Sequence, residues 1–478
     1  MHPNLPNLQR IQLSPHHVIP GRRFKRAVMP ILCVLMFVVL IVKDRPPASA
    51  PEHHTKKNSE DIFGLAKKSF VDGIDEPTLN TPATHKLITT LRGSFFLGGN
   101  GQKIVSSQIK TSLLYTFYPD VTDSVRAMFP NVRGPNTPNQ YFVISPAIAF
   151  YKGEIWTLLR VWLNYERLKD TKEKQYNVWQ DNYLYMQRFN NEMNPTSYGS
   201  LLGIPVPKQY MRNAGTGDPR IFEFKGDLYA FYYMPMNVDG KEWGNMFMWN
   251  LNKNYALKPQ IPGFEMNKID SNWSPFVKDD KLYFLYSYDP VRILQCTDKA
   301  ECHFIGDASG ISNAPFDWKH NCLRGGTPFQ VYEYPYYIAI AHTRVLTRKG
   351  ESFYGVHLVI LNVDTFRVLY VSAPIKIHGS ILRSASIVRN KYIKVPFFYP
   401  LSFIIENKNS LAMGVHINDH RAIILRLNGI APIINTVIYL DKKYKPSTPI
   451  TTDLLHKYAT VSMELPNEVR YPYKGIKL

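Results

Sequence analysis

Hydrophobic and polar positions divide the chain into three stretches. An uncharged apolar run, AVMPILCVLMFVVLIV, extends from Ala27 to Val42. The next stretch includes DRPPASAPEHHTKKNSED, has no apolar period and is rich in Pro, Ser and charge, so it cannot bury a core. From about residue 76 onward, short apolar runs alternate with polar turns. These runs are period-two or nearly continuous, which predicts strands, and little of the region carries a sustained helical period.

The strand-rich region repeats one outline every 50–70 residues or so. A small or polar residue stands at or near a Pro. A short apolar run follows, then a turn with Gly or Asp, then an aromatic-rich strand. The copies are SPAIAFYKGEIWTLLRVW (145–162), GDPRIFEFKGDLYAFYY (217–233), NWSPFVKDDKLYFLYSYDP (272–290) and GGTPFQVYEYPYYIAIAHTR (325–344). A degenerate fifth is VPFFYPLSFIIENKNSLAMGVHINDHRAIILRL (395–427). Hairpins recurring at this spacing predict propeller blades of about four strands each. The predicted fold is therefore all-β, a five-bladed β-propeller over 76–478. Its innermost strands would line a channel, with Ser145, Asp218, Asn272 and Thr327 carrying different polar groups to one mouth. The plain alternative is that these residues only start turns.

The apolar run follows Arg22, Arg23, Lys25 and Arg26. It is shorter than the roughly 20 residues a bilayer core needs, which suits a thin early-secretory membrane. The flanking positive charge puts the short tail in the cytosol. The expected layout is a cytosolic tail (1–26), a single transmembrane signal-anchor helix (27–43), a disordered stem (44–75) and a lumenal catalytic domain (76–478). That is a single-pass type II protein of the Golgi or ER membrane. A cleaved signal peptide, with ASA at 48–50 as its processing site, competes with it. Golgi glycosyltransferases share this layout, as do type II hydrolases and peptidases.

Cys33 lies in the apolar run, and Cys296, Cys302 and Cys322 lie close together. One disulfide and one free thiol are expected in an oxidising lumen, against three buried thiols otherwise. The net charge of +19 admits nucleic acid, an anionic membrane surface or anionic small substrates. Arg22, Arg23, Lys25, Arg26, Lys43 and Arg45 flank the apolar run. The sequence has no zinc-ligand spacing, Walker loop or Gly-x-Gly-x-x-Gly, so nucleic acid is not an expected partner.

GDPRIFEFKGDLYAFY, NWSPFVKDDKLYFLYSYDP and GGTPFQVYEYPYYIAIAHTR resemble successive blades of the inverting β-mannoside phosphorylases of glycoside hydrolase family 130. They equally resemble the β-mannosyltransferases of glycosyltransferase family 108. The likeness spans roughly residues 140–430. It departs from the family pattern at Gly217, where Glu is usual, and at Ser271, where Lys is usual. The resemblance implies that Asp218 gives or takes a proton at the glycosidic oxygen or the acceptor hydroxyl. GVHINDHR resembles the family's Tyr-Gly-x-x-Asp ending, which implies that Asp419 lies near the pocket.

Inverting hydrolysis normally needs two carboxylates, whereas transfer to or from phosphate needs one, because the leaving group or acceptor is already anionic. The repeat offers Asp218 against Arg160, Arg324, His342 and Arg344, a balance that fits phosphate handling. Arginine forks match two phosphate oxygens at once, and His342 would add a charge-assisted hydrogen bond. The first copy opens on Ser145-Pro146 without an acid, which counts against a hydrolase of the arabinanase or invertase kind. Trp273, Tyr286 and Tyr288 are candidates for stacking on sugar faces, or for blade packing.

The candidate site is thus Asp218 as the catalytic residue. Arg160, Arg220, Asn272, Trp273, Asp289 and Asp419 would contact sugar, and Arg324, His342 and Arg344 would contact phosphate. The expected function is a membrane-anchored glycosyltransferase that inverts at a β-mannosidic bond. The alternatives are an inverting phosphorylase or hydrolase and a non-catalytic carbohydrate-binding propeller. The expected partners are a sugar donor (nucleotide sugar or sugar 1-phosphate) and a glycan acceptor. No Asp-x-Asp motif occurs, so neither a metal nor another cofactor is expected.

Overall fold

A computed structural model of the chain describes residues 83–84, 94–96, 102–104, 109–128, 142–162, 182–203, 216–238, 241–264, 271–288, 291–305, 323–346, 352–372, 374–385 and 396–443. The expected tail, anchor and stem, together with Asp289 and Cys322, lie outside the described residues.

Strands β1 (Ala83–Thr84), β2 (Ser94–Phe96), β3 (Gln102–Ile104) and β4 (Lys110–Thr116) precede helix α1 (Asp120–Met128). The first blade is β5 (Phe142–Tyr151), β6 (Glu154–Trp162), β7 (Asn182–Phe189) and β8 (Ser200–Leu202). The second is β9 (Gly217–Phe224), β10 (Asp227–Val238), β11 (Lys241–Asn250) and β12 (Tyr255–Leu257). The third is β13 (Ser274–Lys278), β14 (Lys281–Tyr288), β15 (Val291–Cys296) and β16 (Cys302–Ile305). In the fourth, the inner edge is split into β17 (Leu323–Arg324) and β18 (Gln330–Glu333). Both pair with β19 (Tyr336–Leu346), which is followed by β20 (Ser352–Asn362) and β21 (Arg367–Val371). Strands β2, β3 and β1 extend this sheet beyond β21. Helix α2 (Gly379–Leu382) leads to the fifth blade of β22 (Phe398–Asn407), β23 (Ser410–Ile417) and β24 (Arg421–Asn428), and α3 (Ile430–Lys443) follows.

These sheets form the expected five-bladed propeller. The ring closes by a device that the repeat does not announce. The outer strand of the fifth blade is β4, which precedes the first blade in sequence and pairs antiparallel with β24, Lys110 opposite Asn428.

Local chemistry explains the hairpins. The turns Lys152-Gly153 (φ 49° and 82°), Lys225-Gly226 (50° and 74°) and Asp279-Asp280 (48° and 54°) join the first two strands of three blades. Two successive positive φ values make a turn whose twist matches the flanking strands. Blades are covered on both faces, so burial along a middle strand need not alternate. Every residue of β23, SLAMGVHI, is buried. The outer strands β8, β12 and β16 have only three or four residues, which limits the edge available for unwanted pairing.

Aliphatic packing dominates between the fourth and fifth blades. There Ile340, Leu358, Met413 and Leu425 share one core with Ile433 and Val437 of α3. A fully buried side chain of this size contributes about 1.5–3 kcal/mol. Helix α3 is a departure from the strand-only expectation. Its Ile430, Ile433, Ile434 and Val437 are all buried, at the i, i+3, i+4, i+7 spacing of a helical stripe. Asp441 fixes the helix by accepting from Tyr336 OH (3.1 Å) and Asn362 Nδ2 (2.9 Å). Among the cysteines, Cys296 and Cys302 form a disulfide at a directly opposed pair of β15 and β16.

Candidate active site

Three of the four opening residues have a left-handed backbone: Ser145 at φ 51°, Asp218 at 41° and Asn272 at 67°. This conformation is uncommon for residues other than glycine and costs on the order of 1–3 kcal/mol where it is enforced. The β5–β6 ladder skips Ser145-Pro146 and the β9–β10 ladder skips Asp218-Pro219, so each opening is a bulge that frees a side chain from the strand's alternation. Proline suits these positions because the ladder asks no N–H of it there.

The first two openings meet at Asp218. Ser145 Oγ donates to Asp218 Oδ1 at 2.9 Å, and Arg160 Nη1 donates to the same oxygen at 3.2 Å. Among the described residues nothing donates to Oδ2, and the side chain is 34% exposed. Burial pushes the carboxyl pKa up. The charges of Arg160, His416 and Arg220 and the Ser145 hydrogen bond outweigh it, so the net shift is below the ordinary carboxylate value. Asp218 is therefore an ionised carboxylate with one oxygen left to accept a proton. Arg160 is itself held by Asn182 Oδ1, which accepts from Nε at 2.6 Å, and its guanidinium lies over the Trp162 ring at 5.1 Å.

Asp419, at φ 52°, lies in the same electrostatic cluster. His416 Nδ1 stands 3.2 Å from its Oδ1. Burial raises the Asp419 pKa and the negative charge of Asp218 adds to that, against the opposing pull of His416 and Arg160. The two carboxyl groups are thus pushed apart, the pattern that separates proton-accepting from proton-holding groups in a site. Burial keeps His416 below its ordinary value.

The third opening joins through Asn272. Its Oδ1 accepts from Arg220 Nη2 and from Tyr399 OH, each at 2.9 Å. The Tyr399 ring centroid lies 4.5 Å from that of His342 and 5.2 Å from that of His416. Tyr354 stacks on Phe397 at 4.9 Å beside it. Burial raises the Tyr354 pKa, and its hydroxyl feels Arg344, Asp419, Arg324 and Asp218, so it stands between the acidic and basic sides. Among the described residues that hydroxyl has no hydrogen-bond partner. On the basic side, Arg324 pairs with His342 across β17 and β19. Arg344 Nε and Nη2 donate to Ser352 Oγ at 3.0 and 2.9 Å.

Several expected residues behave differently in the fold. Trp273 has no exposed surface and sits among Phe231, Phe284 and Tyr286, while Tyr286 and Tyr288 are also buried. Their rings belong to blade packing and present no face to a sugar. Burial, with the charges of Arg324 and Arg220 and the neighbouring His357, holds His342 well below its ordinary pKa. Its ring is neutral at pH 7, so the charge-assisted hydrogen bond expected of it becomes a neutral one. Arg220 is fully buried and donates to protein acceptors. Thr327 is tied to its own blade, donating to the Pro328 carbonyl (3.0 Å) and accepting from Ile340 N (2.9 Å).

Four members of the cluster lie outside the positions that the repeat outline marks. Tyr399-Pro400 repeats the residue-then-proline opening in the degenerate fifth copy, and His416 lies three residues before Asp419 in the same copy. Asn182 and Tyr354 sit on β7 and β20, the third strands of their blades, which the repeat outline does not cover. Among the described residues no three His, Cys, Asp or Glu side chains gather closely enough to hold a metal ion.

No family model matches the chain. The chain is 24% identical over 135 residues to Beta-mannosyltransferase 2 of Komagataella phaffii, covering 26% of this chain and 20% of that protein. It is 25% identical over 188 residues to Beta-mannosyltransferase 3 of Candida albicans, 33% of each. The chain thus matches between a fifth and a third of the length of these curated relatives. Among solved structures, a beta-1,2-mannobiose phosphorylase from Listeria innocua superposes with a TM-score of 0.44 at 12% identity, over 65% of this chain and 96% of that one. The GDP-Man-dependent mannosyltransferase MPT-1 of Leishmania mexicana gives 0.36 at 10% identity, over 64% and 94%. In sequence, the chain resembles the β-mannosyltransferases, as the Asp218-Pro219-Arg220 and Asn272-Trp273-Ser274-Pro275 motifs imply.

Proposed function

We propose that the chain is an inverting glycosyltransferase that moves a mannosyl group from a phosphate-bearing donor to a hydroxyl acceptor, forming a β-linkage. The observation that carries this reading is Asp218, ionised, partly exposed and with Oδ2 unengaged. The acceptor oxygen attacks the anomeric carbon, and the bond from that carbon to the donor's phosphate oxygen breaks with its electron pair. The acceptor proton passes to Asp218. The lowered pKa keeps Asp218 in the ionised form that can take up such a proton, while also making it a weaker base. A group that had to protonate a leaving glycosidic oxygen would gain from a raised value. The choice of mannose rests on the relatives' names.

The departing phosphate is met by Arg324 and Arg344, with neutral His342 and the Tyr354 hydroxyl as further donors. Arg344→Ala is expected to raise KM for the phosphate-bearing donor about tenfold, the loss of one hydrogen bond to a charged group. kcat and acceptor KM should stay close to parental. Steady-state kinetics with donor and acceptor varied separately would show this, and an unchanged donor KM would remove Arg344 from the phosphate site.

Because two arginines would also hold inorganic phosphate, phosphorolysis is the second reading. The deciding experiment is to purify the full chain in detergent and offer nucleotide sugars and sugar 1-phosphates with mannoside acceptors. Separate reactions contain mannosides with inorganic phosphate or water alone. Transfer from a donor supports the proposal. Release of sugar 1-phosphate that requires inorganic phosphate supports phosphorolysis, and glycan binding without any turnover supports a non-catalytic propeller.

The proposed setting is the lumen of the Golgi or ER, with residues 27–43 as a type II anchor. The basic residues before the apolar run and the Cys296–Cys302 disulfide favour it. No helix among the described residues is long and apolar enough to cross a membrane. A glycan acceptor tag placed in the 44–75 stem is expected to be modified, and one placed before Arg22 is not. A mature N-terminus near residue 51 would contradict the anchor.

A further inference from the structure

Arg220 lies one position beyond the Asp218-Pro219 opening and has no exposed surface. Its Nε donates to the Gly326 carbonyl. Nη1 donates to the Asp218 carbonyl at 3.1 Å, and Nη2 donates to Asn272 Oδ1 at 2.9 Å. The Gly325 carbonyl is a longer acceptor of Nη2 at 3.5 Å. One guanidinium thus binds the openings of the second, third and fourth blades, and Tyr399 OH on the same Asn272 oxygen adds the fifth. The glycines make this possible. A Cβ on Gly325 would lie 2.1 Å from the Asn272 carbonyl oxygen, and one on Gly326 would lie 2.4 Å from the Ile340 carbonyl oxygen.

Among the described residues, none of the groups Arg220 bonds is a carboxylate. Carbonyl dipoles and an amide oxygen hold the buried cation, so no directly bonded anion cancels its field. Charges act over longer distances in such an interior than in water. The fork geometry also fixes its acceptors more rigidly than an ammonium would.

We infer that Arg220 is a positioning residue. It fixes the left-handed turn that presents Asp218, anchors the Asn272–Tyr399 contact, and places a solvent-shielded positive charge behind the carboxylate. This inference rests on the reading of Asp218 as the proton acceptor. Among the described residues, Ser145 from β5 and Arg160 from β6 bond Asp218, and Tyr354 from β20, Tyr399 from β22, His416 from β23 and Asp419 after it are coupled to it electrostatically. Arg220 adds to the positive side of that set from β9 itself.

The test compares Arg220→Lys and Arg220→Met with the parent in the full chain, using kcat, KM and the pH profile of kcat/KM. Lysine keeps the charge but loses the fork. Its kcat should fall by about 10²-fold, as expected for a displaced catalytic group, with KM and the acid limb unmoved. Methionine loses both, so kcat should fall and the acid limb should also move to higher pH. Parental kcat in Arg220→Lys overturns the inference, as does an unmoved limb in a folded Arg220→Met. A raised KM with intact kcat does so too, because it would mark Arg220 as a substrate contact. If Arg220→Met does not fold, Tyr399→Phe replaces its arm. It removes one donor to Asn272 without changing the ring, and kcat should fall several-fold (about 1 kcal/mol for one hydrogen bond) at constant KM. Parental kcat there overturns the inference. An acid limb that persists in Asp218→Asn would instead refute the proton-acceptor reading, a separate outcome.

Discussion

Asp218→Asn is expected to lower turnover by about 10²–10⁴-fold, the usual contribution of a positioned acid or base, while sugar binding survives. Asn tolerates the left-handed backbone at φ 41°. Its Oδ1 can still accept from Ser145 and from Arg160, now without the ionic component. What disappears is the proton-accepting oxygen. Linkage gives the sign of the stability change. The Asp218 pKa lies below its ordinary 3.8 in the folded state. Its contribution is therefore present above pH 3.8 and is lost as pH falls through the lower folded value. Near neutral pH the variant should melt slightly earlier than the parent, and the two curves should converge in acid. A non-catalytic propeller predicts altered affinity or no effect. Near-parental kcat in the variant would make Asp218 a turn residue only.

Arg426→Leu is expected to cost about 3–5 kcal/mol of stability, the usual penalty for breaking a buried ion pair by removing one partner. Arg426 Nε and Nη2 donate to Glu406 Oε2 and Oε1 at 2.7 and 2.6 Å, with side chains only 8% and 1% exposed. The pair bridges β24 and β22 across the middle strand of the fifth blade. The leucine variant leaves the Glu406 charge in the blade without this bidentate partner. The double variant Glu406→Leu/Arg426→Leu removes both charges and should recover most of the loss, because an apolar pair of similar volume is often neutral or better there. Denaturant midpoints at unchanged slope measure both variants. A loss below about 1 kcal/mol in the single variant, the range of exposed pairs, would mean the pair is solvated.

The blades were legible in the sequence because their cause is local. Lys152-Gly153, Lys225-Gly226 and Asp279-Asp280 are turn residues between strand-forming runs, and they make those turns in the fold. The ring closure was not legible, since nothing near Lys110 marks Asn428 as its partner. Helix α3 is not legible locally, because Ile430, Ile433, Ile434 and Val437 are β-branched residues that suit strands equally well. The site divided along the same line. Asp218 and Asn272 open repeats, and the structure links them through Arg220. Tyr354 reaches the cluster from a third strand, outside the repeat outline. Trp273 fell in a motif but faces inward, which a strand buried on both faces does not reveal by alternation. The neutral state of His342 depends on burial and on Arg324, neither of which local sequence encodes.

The central claim is that Asp218 activates an acceptor hydroxyl for inverting transfer. Proton NMR of the first product, recorded during turnover of an α-configured donor, tests it most directly. The proposed mechanism predicts that the newly formed anomeric signal is β from the earliest time point, and that it is lost in Asp218→Asn. An α-configured initial product, or unchanged β-product formation in Asp218→Asn, would contradict it.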